Sequence, residues 1–173
     1  MSPTQSQQQT ATKPNKLQRI VSKCYQLPTA LQAFALSTVF GRVIKFAGTA
    51  GVEVLELKGA RSVLRLKNRK KAQNHIGSVH AAATGLLAES ATGFLVGIHL
   101  PDNKLPLLKQ MQIDYIKRSS GDLTAVATLT DQQIAAMHNE DKGEVTVAVS
   151  ITDSAGIEPV NASMTWAWIP KKR

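Results

Sequence analysis

The chain has 173 residues, 43% of them hydrophobic and 19% charged, which suits one packed domain and leaves too little length for two full ones. Its Lys and Arg residues exceed its Asp and Glu residues by nine, but seven cations lie in the two tails and aromatic residues make up only 5%. A nucleic-acid-binding protein is therefore not expected. The single cysteine excludes an intramolecular disulfide and a multi-cysteine zinc site, and it is typical of a reducing compartment such as the cytoplasm.

The N-terminal region divides into a tail and two helices. Residues 1–14 are polar and are predicted to be a disordered tail, whose basic, acid-free composition also has some likeness to an organelle transit peptide. Apolar residues at helical spacing predict an amphipathic helix over 16–25, and Pro28 suits the first turn of a second helix that ends near Phe40. Residues 15–42 are thus assigned to N-terminal helices. Their basic face is either solvated or in contact with an anionic membrane surface.

The rest of the chain, residues 43–170, is predicted to form the main domain. Period-two alternation over 52–67, interrupted by a turn at 58–60, indicates a β-hairpin. Four more strands are predicted at 111–117, 123–129, 145–151 and 162–169, with a short helical insertion at 131–138. No run of about 20 consecutive apolar residues is evident, so an integral membrane protein is not expected.

Residues 78–96 differ from this pattern, because they are apolar nearly all round and rich in Ala and Gly. Such a segment is typical of a buried central helix that a sheet can approach closely. The predicted fold class is therefore α+β, with an antiparallel sheet wrapped around one long helix.

The polar residues in and before this helix are the candidates for chemistry. A carboxylate at Glu89 among Leu and Ala residues would be desolvated, which raises its pKa and makes it a better base near neutral pH. The alternative is that Glu89 lies on an exposed or interfacial stripe of the helix, or that a local hydrogen bond satisfies it. Glu89 and His80 are half a turn out of phase and about 13 Å apart along one helix. If both serve one site, a second copy of the chain must supply one of them, and a homodimer with composite sites follows.

The segment from Asn74 to Ala82, followed by Leu86 to Ala91, resembles the hot-dog fold acyl-CoA thioesterases of the phenylacetate-pathway and 4-hydroxybenzoyl-CoA type. That motif has an Asn or Gln, a Gly, a His-Gly-Gly triplet and then an acid inside the central helix. Asn74, His80 and Glu89 have the matching spacing of six and fifteen positions. The resemblance covers about residues 45–169, while the two preceding helices are more similar to an uncharacterised bacterial hot-dog subfamily.

The resemblance implies an acyl-CoA substrate, no cofactor, and a dimer that can associate further into a tetramer. It implies that Glu89 is the general base or nucleophile, that the backbone N–H of Ala81 holds the oxyanion, that Asn74 holds the water or the carbonyl, and that His80 caps or orients the turn. Further substrate-binding candidates are Gly77, Ser78 and Thr92. Cations at Arg65, Lys67 and Arg69 fall on one side of a strand and suit the phosphates of coenzyme A, or they form a solvated sheet edge.

Two departures from the family pattern leave a second function open. His80 is followed by Ala-Ala instead of Gly-Gly, and Gly93 stands where some relatives carry a hydroxyl that orients the water. A hot-dog protein that binds acyl-CoA or an acyl carrier without hydrolysis is the alternative, and a membrane-surface protein is a third. His75 and His80 have no further ligands at metal-binding spacing, so no metal site is predicted.

Overall fold

The computed structural model describes residues 13–172. The predicted tail at 1–14 therefore lies almost entirely outside the described residues. The helices are α1 (Lys16–Cys24), α2 (Thr29–Val43), α3 (Lys45–Ala50), α4 (Ala81–His99) and α5 (Asp131–Asn139). The strands are β1 (Val52–Lys58), β2 (Arg61–Leu66), β3 (Lys104–Tyr115), β4 (Leu123–Thr128), β5 (Gly143–Asp153) and β6 (Val160–Pro170).

The six strands form one antiparallel sheet in the order β1-β2-β4-β5-β6-β3. The sheet curves around α4, which is buried along most of its length, and the α+β class predicted from the sequence is confirmed. The hydroxyl of Ser62 on β2 donates to the carbonyl of Ala91 at 2.7 Å, so a strand lies directly against the helix backbone. Small residues in α4 allow this approach.

By length and mean hydropathy, α4 also meets the criteria for a membrane-spanning helix, which differs from the sequence-based expectation. The core helix of a soluble protein meets the same criteria, and 67% of the apolar window of α4 is buried inside the fold. The apolar character of α4 is therefore explained by its position within the sheet.

The N-terminal helices cover one side of α4. Phe40 of α2 packs on Phe94 of α4 with ring centroids 4.6 Å apart, and the side chain of Asn15 donates to the carbonyls of Gly97 and Leu100 at 2.8 and 2.7 Å. These contacts fix α1 and α2 on the C-terminal half of α4. The opposite face of α2 is open, and Phe34 is 73% exposed.

Two elements differ from the predicted ones. β3 begins at Lys104, seven residues before the predicted start, because a bulge between Leu108 and Gln110 shifts the alternation of its side chains by one position. α4 begins at Ala81 and not at Ser78, because His80 is its N-cap and Val79 still pairs with Gln73 as an isolated bridge. The short helix α3 was not predicted.

Candidate functional site

The turn before α4 is built by the side chain of Asn74. Its Oδ1 atom accepts hydrogen bonds from the backbone N–H groups of Ile76 and Ser78, both at 3.1 Å, and the N–H of Asn74 donates to the carbonyl of Ser78 at 2.9 Å. Gly77 completes the turn with a φ of 77°, a conformation that favours glycine. Asn74 therefore fixes the backbone that leads into the helix, and Ser78 and Gly77 are part of the same turn.

The first residues of α4 present a helix N-terminus to the surface. The Nδ1 atom of His80 accepts from the N–H of Ala82 at 3.1 Å, and the hydroxyl of Tyr115 on β3 donates to the carbonyl of Ala81 at 2.6 Å. Within residues 13–172 no acceptor pairs with the N–H of Ala81. This group is thus available to a negatively charged oxygen, which the helix dipole also favours.

A small pocket of about 150 Å³ lies at this helix end and is lined by Asn74, Ser78, Ala81 and Tyr115, among others. Arg118 borders it, donating from Nε to the Ser78 hydroxyl at 3.2 Å and from its terminal nitrogen to the Ile76 carbonyl at 2.8 Å. A cation therefore stands beside the predicted oxyanion group. The sequence does not single out Tyr115, and it offers Arg118 only as one of two cations at a strand end that suit a phosphate or a solvated edge. Both residues reach this position through the fold of β3 and the loop after it.

Glu89 lines a different cavity, of about 340 Å³, between α4 and the N-terminal helices. Its side chain is half-buried, and burial raises the pKa of its carboxyl group. Among the described residues the carboxylate has no ion-pair partner. A desolvated carboxylate without a cation beside it is unfavourable for stability and suited to accepting a proton.

Ser90, next to Glu89, lines the same cavity. It is 3% exposed, and within the described part of the chain its hydroxyl has no hydrogen-bond partner. A buried hydroxyl is normally paired. Ser90 is therefore a second polar residue at this cavity, and as a polar residue inside an apolar helix it is also distinguished in the sequence.

Contacts with Trp166 explain the residue types at Thr92 and Gly93. The indole Nε1 of Trp166 donates to the Thr92 hydroxyl at 2.9 Å, and that hydroxyl donates to the Ala88 carbonyl at 3.0 Å. A Cβ atom at Gly93 would lie 2.6 Å from Cζ2 of Trp166. The tryptophan ring thus occupies the place of any side chain at position 93, which accounts for the missing hydroxyl there.

The cations Arg65, Lys67 and Arg69 do lie together, and they share one carboxylate. Glu53 of β1 pairs with Arg65 at 2.7 Å, with Lys67 at 2.8 Å and with Arg69 at 3.2 Å. Partial desolvation raises the pKa of Glu53, but the ion pairs with Lys67 and Arg65 outweigh it and hold the pKa below its usual value. Three cations on one carboxylate leave a local charge of about +2 for an anion.

The structure thus brings the predicted residues together in three groups. Asn74, Gly77, Ser78, His80 and Ala81 lie at the start of α4, Glu89 lies on the cavity, and the cations surround Glu53. Within one chain, Ala81 and Glu89 are eight residues apart, about 12 Å along the helix, and their two pockets share no lining residue. No group of three or more His, Cys, Asp or Glu residues able to hold a metal ion occurs in residues 13–172.

Solved structures similar to this chain share the architecture, and they establish its hot-dog fold. A Pseudomonas aeruginosa protein of unknown function described as a probable thioesterase superposes with a TM-score of 0.71 at 23% identity, over 84% of this chain and 97% of its own. A Haemophilus influenzae thioesterase superposes with a TM-score of 0.63 at 14% identity, over 80% of this chain and 90% of its own. A Staphylococcus aureus thioesterase gives 0.61 at 16% identity, over 73% and 99%.

The fold thus defines this protein as a hot-dog protein, and structures named thioesterases share that fold. More particularly, residues 33–169 match a family described as a domain of unknown function, DUF4442, and the chain belongs to that family. The match includes most of α2 as well as the sheet and α4. No curated protein sequence matches the chain.

Proposed function

We propose that this protein is a cytoplasmic acyl-CoA thioesterase that acts as a homodimer. The observation that carries the proposal is Glu89, a half-buried carboxylate without an ion-pair partner among residues 13–172 that faces an apolar cavity. Such a group is placed to take a proton from water next to an apolar substrate. The spacing of Asn74 and Glu89 adds support, because the Staphylococcus aureus thioesterase was crystallised with replacements of a glutamine and of a glutamate fifteen positions later.

In the proposed reaction, Glu89 takes a proton from a water molecule whose oxygen attacks the thioester carbonyl carbon. The charge that develops on the carbonyl oxygen is held by the Ala81 N–H at the N-terminus of a second subunit's α4. The carbon–sulfur bond then breaks, the coenzyme A thiolate takes the proton from Glu89, and the carboxylic acid is released. If Glu89 acts as the nucleophile instead, the same residues serve and an anhydride precedes hydrolysis.

The dimer is required by distance, because Ala81 and Glu89 of one chain are about 12 Å apart. β3 is the last strand of the sheet and, within the described residues, pairs with β6 alone, so its other edge is open to a second copy. Met111 and Ile113 lie over Gly85 of α4, yet Met111 is 51% exposed and Tyr115 is 52% exposed. An apolar surface beside the start of α4 is suited to a subunit interface.

Two cationic places are available for the phosphates of coenzyme A. Arg118 stands at the Asn74 turn, and the Arg65, Lys67 and Arg69 cluster retains net positive charge after Glu53 is paired. Arginine side chains suit phosphate because their donors form a planar fork. Asn74, through the amide nitrogen that its turn does not use, is proposed to hold the water or the carbonyl.

The alternative function is binding of acyl-CoA or an acyl carrier without turnover. The ring of Trp166 over Gly93 favours it, because position 93 cannot carry a side-chain hydroxyl that orients the attacking water. Ser90, whose buried hydroxyl has no hydrogen-bond partner among residues 13–172, lines the same cavity and is the residue that would have to take that role for hydrolysis to proceed.

The test is thiol release from acyl-CoAs with short, medium, long and aromatic acyl groups. We expect turnover by the wild type, loss of turnover in Glu89→Gln, and wild-type turnover in the control Glu56→Gln, which removes an exposed carboxylate from a surface ion pair with Arg61. Absence of turnover on every thioester, with acyl-CoAs still raising the melting temperature, would support the binding function. Turnover that persists in Glu89→Gln would refute the role of the carboxylate.

A further inference from the structure

The cavity beside Glu89 has apolar walls from three directions. α1 contributes Leu17, α2 contributes Phe40 and Val43, and the sheet contributes Pro106 and Trp166. The only nitrogen of the Trp166 ring is already used on Thr92, so the ring presents carbon to the cavity. Glu89 and Ser90 supply the only polar side chains among the described residues that line it.

Two glycines of α4 lie along the cavity, one against the sheet and one against α1. Gly93 and Gly97 both line it, and Gly97 is eight residues from Glu89, about 12 Å along the axis. Leu17 stands over Gly97, since a Cβ atom there would lie 3.4 Å from its Cδ1 atom. The cavity therefore extends along α4 from the carboxylate to Leu17.

We propose that this cavity holds the acyl chain of the thioester, and that it selects unbranched aliphatic chains of medium length, with Leu17 and Gly97 closing the far end. This inference deepens the proposed function and rests on it for the location of the thioester carbon near Glu89. It assigns a substrate class, which the sequence leaves open, and it gives the N-terminal helices a role in the site.

The volume sets the chain length. A cavity of about 150 Å³ accommodates benzene, so the 340 Å³ found here accommodates roughly twice as many carbon atoms, on the order of ten to twelve. A phenyl group would leave more than half of the cavity unfilled and would forgo the contacts that a close-packed ligand makes. Aliphatic chains of about ten to twelve carbons are therefore favoured over aromatic groups.

Binding is measured first on Glu89→Gln protein, which separates it from turnover. Affinity for acyl-CoAs of four to sixteen carbons is expected to rise about fourfold per methylene until the cavity is filled and then to level off. Leu17→Ala lengthens the cavity and should move the plateau about two carbons higher. Gly97→Leu fills its end and should weaken medium chains at least about tenfold while butyryl-CoA binds as before.

Ile20→Ala is the matched control, since Ile20 lies on the same helix, is 38% exposed and does not line the cavity. It should leave the chain-length profile unchanged. The inference is overturned if affinity is independent of chain length, if phenylacetyl-CoA binds as tightly as decanoyl-CoA, or if Leu17→Ala and Gly97→Leu leave the profile as it is in the control.

The two proposals can fail separately. If the wild type turns over acyl-CoAs but the chain-length profile does not change on mutation of Leu17 and Gly97, the cavity assignment is refuted and the thioesterase proposal is retained. A chain-length profile that responds to both variants, without turnover in the wild type, would refute hydrolysis and leave an acyl-binding site. Should Gly97→Leu fail to fold, Leu17→Ala alone still tests the far end of the cavity.

Discussion

Replacement of Gly93 by alanine should destabilise the protein, against the ordinary effect of this change in a helix. Alanine in place of glycine inside a helix normally stabilises by about 1 kcal/mol. At position 93, however, the added Cβ atom would lie 2.6 Å from Cζ2 and 2.7 Å from Cη2 of Trp166. The ring cannot turn away freely, because Trp166 is buried and its indole N–H is bonded to Thr92.

The magnitude follows from the size of the overlap. Overpacking a buried site costs about 1–3 kcal/mol, and two ring carbons under 3 Å place this case near the upper value. After the gain in helix propensity is subtracted, Gly93→Ala should lower the free energy of unfolding by about 1–2 kcal/mol. Gly97→Ala is the control on the same helix, since its Cβ atom would meet only Leu17 Cδ1 at 3.4 Å, and it should stabilise by up to about 1 kcal/mol.

The assay is urea denaturation followed by circular dichroism, at one protomer concentration for all variants because dimer dissociation affects apparent stability. The two alanine variants should differ by about 1–3 kcal/mol, or by about 2–12 °C in Tm. In a Trp166→Leu background, Gly93→Ala should lose its destabilising effect, which a double-mutant cycle measures as coupling. A Gly93→Ala protein as stable as Gly97→Ala would refute the explanation of the missing hydroxyl.

Two further predictions concern the site. Burial raises the pKa of Glu89, so the stability linked to this group is fully present below its unfolded pKa, about 4.3, and is lost as pH rises through the folded value. Glu89→Gln should therefore be more stable than the wild type at neutral pH and equal to it near pH 3.5, which a pH series of unfolding curves measures. Equal stability of the two proteins at every pH would show that the carboxylate has a partner in the assembled protein. Tyr115→Phe removes the hydrogen bond to the Ala81 carbonyl and should lower kcat as well as stability, the latter by about 0.5–1.5 kcal/mol. The control Tyr25→Phe removes a hydrogen bond from the Leu57 N–H and should lose a similar amount of stability with kcat unchanged. Equal kcat values in the two variants would count against a role for the α4 N-terminus.

The fold was predictable from sequence where pattern and structure are local. The all-round apolar character of residues 78–96 predicts a buried helix, and α4 is that helix. The first half of β3 was missed because the bulge at Leu108 and Gln110 places two residues opposite one and breaks the period-two pattern. α3 was missed because six residues are too few for a helical period to show.

The candidate site was predictable in its positions and not in its surroundings. The resemblance to the thioesterase motif proposes Asn74 and Glu89 by their spacing, and period-two alternation places Arg65, Lys67 and Arg69 on one side. Glu53 was not foreseen as their shared partner, because its position opposite Arg65 depends on the register between β1 and β2. The cavity also depends on tertiary packing, since Leu17, Gly97 and Trp166 meet only when α1, α4 and β6 are assembled.

The separation of Ala81 from Glu89 limits which functions are available to a single copy of the chain. The N-terminal end of α4 offers donors and a cation beside Asn74, and the middle of α4 offers a base and an apolar cavity, with about 12 Å of helix between them. Hydrolysis needs donors and base at one carbon atom, whereas binding of an acyl chain needs only the cavity. The proposed thioesterase therefore depends on a dimer and the acyl-binding alternative does not, because within one chain the Ala81 N–H is about 12 Å along the helix from Glu89.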